Sequence, residues 1–136
     1  MAAVLVDAGP LIALLSARDE AHDACLHEAA GLKDPLLTVW PAVTEAAHFL
    51  GAEPGGVDKL LRMFATGGVR LMELSEPDMP RMRELMAKYA DLPMDLADAA
   101  LVAVAERENI GTVFTLDRRD FHIYRPRHTK QFKILP

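Results

Sequence analysis

The sequence predicts an α/β fold, a three-layer α/β/α sandwich around a mainly parallel central sheet. Three observations carry this expectation. Short apolar runs rich in strand formers alternate with longer segments of helical periodicity, the pattern of strands joined by crossover helices. The 136 residues are 51% hydrophobic and 26% charged, enough for one domain with a sizeable core. No internal repeat, low-complexity tract or linker divides the chain, so residues 1–136 read as a single domain.

Taken in order, residues 2–6 form the first strand candidate, and Gly9 and Pro10 open an apolar stretch over 11–15 that reads as turn and helix. Residues 16–31 have helical spacing at Ala21, Ala24, Cys25 and Ala29, with Ser16 or Asp19 as the expected cap and Gly31 as the stop. Residues 36–39 are the second strand candidate. Trp40 and Pro41 start a helix through about Leu50, with proline in the first turn where its missing N–H does no harm. A break over 51–56 precedes an amphipathic helix at 57–65, a turn at Gly67 and Gly68, and a strand at 69–74. Residues 75–78 resemble a helix start, and the helix continues to about Tyr89 with Met79, Met82 and Met86 on its expected core side. After a loop over 90–94 comes a strongly apolar helix from Asp95 or Leu96 to Asn109, then a strand at 112–116 and a basic segment.

Composition excludes several classes of function. The net charge of −5 is unlike that of domains that hold nucleic acid by bulk electrostatics. Its distribution says more. Beyond Asp117 lie Arg118, Arg119, Arg125, Arg127, Lys130 and Lys133 against the single acid Asp120, which points to an anionic partner at that end or to a solvated basic segment balancing an acidic body. No apolar run reaches the ~18 residues that crossing a bilayer requires, so no membrane association is expected. The one cysteine, Cys25, excludes an internal disulfide and a cysteine-built metal site and reads as a small core residue. With no signal peptide visible, the expected location is cytoplasmic. The five histidines show no metal-ligand pairing at i,i+4, and there is no P-loop or dinucleotide fingerprint.

The chemistry is sought among acids in apolar company. Asp7 is the only charged side chain between Met1 and Ser16, Glu45 the only one between Pro35 and Ala52, and Asp98 the only one from Leu96 to Ala105. Carboxylates in such segments are costly to bury unless paired, and no Lys or Arg lies within the three segments. A fourth acid, Asp117, ends the last strand as Asp7 ends the first, so neighbouring strands would bring both to one edge of the sheet. Glu45 and Asp98, near the starts of their helices, can also point toward strand ends. Four like charges brought together raise one another's pKa, and a hard divalent cation such as Mg²⁺ or Mn²⁺, which prefers oxygen ligands, relieves the repulsion. The expected chemistry is metal-assisted hydrolysis of a phosphodiester. Each acid also has a plain structural reading: Asp7 as a helix cap, Glu45 and Asp98 as helix-dipole partners, Asp117 as the start of a turn.

The stretches Val4-Leu-Val-Asp7-Ala-Gly-Pro-Leu-Ile-Ala-Leu-Leu15, Thr44-Glu45-Ala46, Asp98-Ala-Ala-Leu-Val-Ala-Val-Ala105 and Thr115-Leu-Asp117-Arg-Arg-Asp-Phe121 together resemble a PIN domain, and more narrowly the VapC-like toxins of prokaryotic toxin–antitoxin pairs. The resemblance spans nearly the whole chain. It implies a PIN-like sandwich and a Mg²⁺- or Mn²⁺-dependent endoribonuclease, usually a homodimer, silenced by a cognate antitoxin protein. It also implies that Asp7, Glu45, Asp98 and Asp117 are the catalytic and metal-binding quartet, with RNA rather than DNA as substrate. The basic end would hold phosphates of that RNA. One departure is Ala8, which stands where the family often has a Thr or Ser hydroxyl supporting the first Asp.

Three of the neighbouring residues, Asp95, Thr44 and Thr115, have two readings. Asp95 is an extra ligand or the cap of its helix, and Asp120 a surface acid. Thr44 and Thr115 either bond water at the site or bond local backbone. Two other function classes fit the sequence less well. A signalling receiver module would need an Asp after a middle strand and a Lys after a late one, and residues 69–74 and Thr115 to Asp117 supply neither. A non-catalytic PIN-like module binding RNA or protein would be favoured had any of the four acids been lost.

Overall fold

Five strands, β1 (Val4–Val6), β2 (Leu36–Thr38), β3 (Arg70–Leu71), β4 (Thr112–Phe114) and β5 (Lys133–Leu135), form one sheet in the order β3-β2-β1-β4-β5 with every pairing parallel. The computed structural model describes residues 2–136, so Met1, where the expected domain begins, lies outside the described residues. The helices are α1 (Ala8–Leu15), α2 (His22–Gly31), α3 (Trp40–Leu50), α4 (Gly56–Ala65), α5 (Met79–Lys88), α6 (Leu96–Glu108) and α7 (Arg118–Ile123).

Because successive strand residues face opposite ways, β1 feeds two cores. Val4 and Val6, with Phe114 of β4, join residues of α1, α2, α3 and α4 on one face. Leu5, with Leu37 and Val113, joins residues of α5, α6 and the segment beyond α7 on the other. This is the expected three-layer α/β/α sandwich. The apolar run Ala97–Ala105 of α6 is buried at every position, which explains why this helix shows no polar face.

The chain steps outward from β1 to β2 to β3, then returns across the sheet to lay β4 on the other side of β1. The strand order therefore reverses between β1 and β4, and ligands collect in the crevice at the carboxyl ends of such strands. The register pairs Val6 with Phe114, so Asp7 and Thr115 emerge side by side. The Asp7 N–H continues the ladder, donating to the Phe114 carbonyl at 3.0 Å.

Several expectations are corrected. Residues 16–31 are not one helix: Ser16 ends α1, its N–H donating to the Ile12 carbonyl and its hydroxyl to Glu53. Asp19 turns its carboxylate onto the Ala21 N–H at 2.8 Å, and α2 begins only at His22. The strand expected at 69–74 shrinks to β3, because only Leu37 and Thr38 are there to pair with it. Of the three methionines, Met82 is core, Met86 packs against it, and Met79 is exposed. Cys25 is fully buried, as expected.

The basic segment, for which the sequence marked no element, holds α7 and β5. Phe121, Tyr124 and Phe132 enter the core, and edge-to-face contacts run from Tyr124 to Phe121 and from Phe121 to Phe132. Arg127 donates its N–H to Glu106 and its guanidinium to Glu84, pinning this return segment to α5 and α6. Among the described residues no helix is long and apolar enough to cross a membrane.

Candidate metal centre

Asp7 follows β1 and caps α1. Its Oδ1 accepts the Ala8 N–H at 2.8 Å and its Oδ2 the Thr115 hydroxyl at 2.9 Å, with the residue 7% exposed. Burial pushes its pKa up more than these two bonds pull it down, and the charge of Asp95 adds to the rise. Thr115 is fully buried, and its hydroxyl oxygen also accepts the Asp117 N–H at 3.0 Å. The local-backbone reading of Thr115 therefore holds, and the same hydroxyl also bonds the Asp7 carboxylate, which neither reading foresaw. Thr44 bonds back to the Trp40 carbonyl at 3.0 Å, the local reading.

Asp98 enters from the first turn of α6. The N-cap of that helix is Asp95, whose Oδ1 accepts the Asp98 N–H at 2.8 Å, so the cap reading of Asp95 holds. Asp98 Oδ2 accepts the Tyr124 hydroxyl at 2.6 Å. The Asp98 pKa is pushed up to about 8, first by burial and then by the charges of Asp7, Asp95 and Asp117, against the pull of the Tyr124 bond. Asp117, exposed at the N-cap of α7, is raised by partial burial first and by Asp120 next, with Asp7 a smaller contributor. Glu45, on α3, is raised by burial and then by Asp7 and Asp95.

Carboxylate oxygens of Asp98, Asp117 and Asp120 lie within 4.8 Å of one another. Asp120 corrects the expectation of a surface acid: it is half-buried in the first turn of α7, one helical turn beyond Asp117. The spacing of three between the two acids was the signal in the sequence. The structure thus brings Asp98 and Asp117 together with Asp120 and sets Asp7 close enough for its charge to act on Asp98 and Asp117, while Glu45 is reached by the charges of Asp7 and Asp95. Nothing in the sequence marked Tyr124, because only the unexpected α7 carries it beneath Asp98.

The ion pairs among the described residues include none of Asp7, Glu45, Asp95, Asp98, Asp117 and Asp120. Six carboxylates without a cationic partner, three with converging oxygens and two almost wholly buried, make an oxygen-only donor set. Such a set suits a hard divalent cation and no soft one.

Part of the basic end is committed within the protein. Arg127 is paired with acids, Arg118 donates to the Pro136 carbonyl, and Arg125 donates to the carbonyls of His122 and Tyr124. Arg119, Lys130 and Lys133 are exposed, and among the described residues their side chains make no hydrogen bond or ion pair.

Comparison with known proteins agrees with this architecture. Ribonuclease VapC26 of Mycobacterium tuberculosis is 31% identical over 136 aligned residues, covering 98% of this chain and all of that protein. Among solved structures, VapC20 of the same organism, described as a Sarcin-Ricin loop cleaving toxin, superposes with a TM-score of 0.78 at 17% identity, over 86% of this chain and 92% of its own. VapBC2 from Rickettsia felis, solved bound to a DNA fragment from its promoter, gives a TM-score of 0.66 at 11% identity over 98% of both chains. These two share the fold. The family model for the PIN domain matches residues 4–125, spanning the strands β1 to β4 and every acid of the centre, and the chain belongs to the PIN domain family.

Proposed function

We propose that the chain is an endoribonuclease that hydrolyses RNA phosphodiester bonds with Mg²⁺ or Mn²⁺, a single nuclease domain over residues 1–136 and the toxin of a toxin–antitoxin pair. The observation that carries this is the uncompensated carboxylate group at the carboxyl ends of β1 and β4. Near-full-length similarity to a ribonuclease supports RNA as the substrate. The resemblance to VapC-like toxins supports a cognate antitoxin protein and a homodimer, working in the cytoplasm.

In this reading Asp98, Asp117 and Asp120 would hold the cation, with Asp7 and Glu45 completing the acidic pocket. When bound there, Mg²⁺ or Mn²⁺ supplies Lewis acidity for water attack and neutralises charge on the phosphodiester. The protein's own contribution is positioning. Asp7 is fixed at both oxygens and Asp98 at one, so neither carboxylate has to be ordered when substrate arrives. The exposed Arg119, in the first turn of α7 two residues beyond Asp117, is free to meet a phosphate beside the cut, whereas Lys130 and Lys133 lie toward the amino ends of β4 and β5, away from the acids.

The test is incubation of the purified protein with structured and single-stranded RNAs in Mn²⁺ or Mg²⁺, alongside EDTA and the Asp98→Asn variant. Cleavage abolished by both controls supports the proposal. Failure to bind either ion overturns it in favour of a non-catalytic module, and cleavage that persists in Asp98→Asn overturns the role given to this carboxylate group.

A further inference from the structure

We infer that Tyr124 is a positioning residue of the centre, whose hydroxyl holds Asp98 so that only Oδ1 faces the other carboxylates. This rests on the metal reading given above. Tyr124 is fully buried, and its hydroxyl donates to Asp98 Oδ2 at 2.6 Å, its one hydrogen bond among the described residues. The ring is set from two sides, by Tyr89 with centroids 5.0 Å apart and by Phe121 at 5.2 Å, both edge to face. Its backbone is set as well: the Tyr124 N–H donates to the Asp120 carbonyl at 3.0 Å, and the next N–H, of Arg125, donates to the Tyr89 hydroxyl at 2.8 Å.

Packing alone does not require the hydroxyl. Phe121, one turn earlier in the same cluster, fills comparable space without one. A hydroxyl buried in this apolar cluster is costly unless it is bonded, and the acceptor it meets is a carboxylate of the centre. The bond does to Asp98 what Thr115 does to Asp7: it occupies one oxygen and stops rotation about the last side-chain bond. Partners of this kind, behind a ligand, change metal affinity by roughly 10–100-fold.

The test uses the full chain, freed of metal, with Mn²⁺ binding followed by electron paramagnetic resonance. Tyr124→Phe is expected to bind Mn²⁺ roughly 10–100-fold more weakly while melting cooperatively. Thr66→Val, which removes a hydroxyl that bonds only the Met63 carbonyl beside α4, is expected to leave Mn²⁺ affinity unchanged. In an Asp98→Asn background, Tyr124→Phe is expected to add nothing. Wild-type affinity in Tyr124→Phe overturns the inference alone, as does an equal loss in the Asp98→Asn background. Absence of Mn²⁺ binding by the wild-type protein overturns the metal reading and this inference together. A second measurement needs no substitution. Tyr89 and Tyr124 are the two tyrosines of the chain, so carbon-13 labelling at Cζ gives two signals, and Mg²⁺ should shift that of Tyr124 more than that of Tyr89. A Tyr124 signal unmoved at saturating Mg²⁺ overturns the inference.

Discussion

Thr115 donates its hydroxyl to Asp7 Oδ2 across 108 residues of sequence, and its oxygen accepts the Asp117 N–H on its other side. One hydroxyl thus joins the ends of the two central strands. It also resolves the departure at Ala8: the support that the family often takes from the residue after the first Asp comes here from the neighbouring strand.

Replacing Thr115 by Val keeps the shape and removes both bonds. Leaving a buried carboxylate short of a donor costs about 1–3 kcal/mol, so urea unfolding of the metal-free protein near neutral pH is expected to show a loss of that size. Thr115→Ser, which keeps the hydroxyl, is expected to recover most of it. Equal losses for the two variants would assign the effect to packing instead.

Stability should depend on pH in opposite senses on the two sides of the acid range. Asp98 titrates at about 8 in the folded chain against 3.8 for the free group, so the folded state holds its proton more tightly than the unfolded state. Its contribution is full below the unfolded value and is lost as pH rises toward the folded one. The metal-free protein is therefore expected to melt at falling temperature from pH 5 to pH 8, and Asp98→Asn to flatten that slope. Saturating Mg²⁺ should also flatten it, since a bound cation requires the ionised carboxylates. A melting temperature that climbs across this window in metal-free buffer contradicts the assignment.

Glu106 behaves the other way. Burial alone would raise its pKa, but the Arg81 guanidinium, at 2.8 and 2.9 Å, and the Arg127 N–H, at 2.9 Å, hold it below the usual range. Its stabilisation is present above the unfolded value and is lost as pH falls through the folded one. Glu106→Gln should cost about 2 kcal/mol at neutral pH, as for a hydrogen bond to a charged group, and progressively less in acid. Paired urea titrations at pH 7 and at pH 3 measure the difference.

A substitution remote from the acids tests the packing. A Cβ on Gly56 would stand 2.1 Å from the Leu50 carbonyl oxygen, which is backbone and cannot swing aside. Gly56→Ala is expected to destabilise the chain by about 3 kcal/mol, the upper end of ordinary overpacking, in chemical denaturation. Gly31→Ala, with open space around its Cβ, serves as the control.

The sequence showed the α/β alternation, the helix at Trp40–Leu50 and the four acids, because apolar periodicity and isolated charges are local signals. It hid what depends on distant partners. Residues 133–135 contain Lys133 and become a strand only because β4 offers them an open edge. The first turn of α7 is basic enough to read as solvated, yet Phe121 and Tyr124 anchor its far side. Asp120 and Tyr124 stayed outside the sequence-based site for this reason: their roles exist only once that segment folds back under α6. Asp95 was legible as a cap because capping is decided within four residues.

The placement of β1 beside β4 bears on when the protein becomes competent. A ribosome delivers Asp7 first, but Asp98, Thr115, Asp117, Asp120 and Tyr124 all belong to the last third of the sequence. The intervening elements β2, α3, α4 and β3 can lay down one half of the sheet while β1 still lacks its other neighbour. The carboxylate group therefore has no counterpart in a partly synthesised chain, and a nascent polypeptide carries the scaffold of the centre without its chemistry until that final third has emerged.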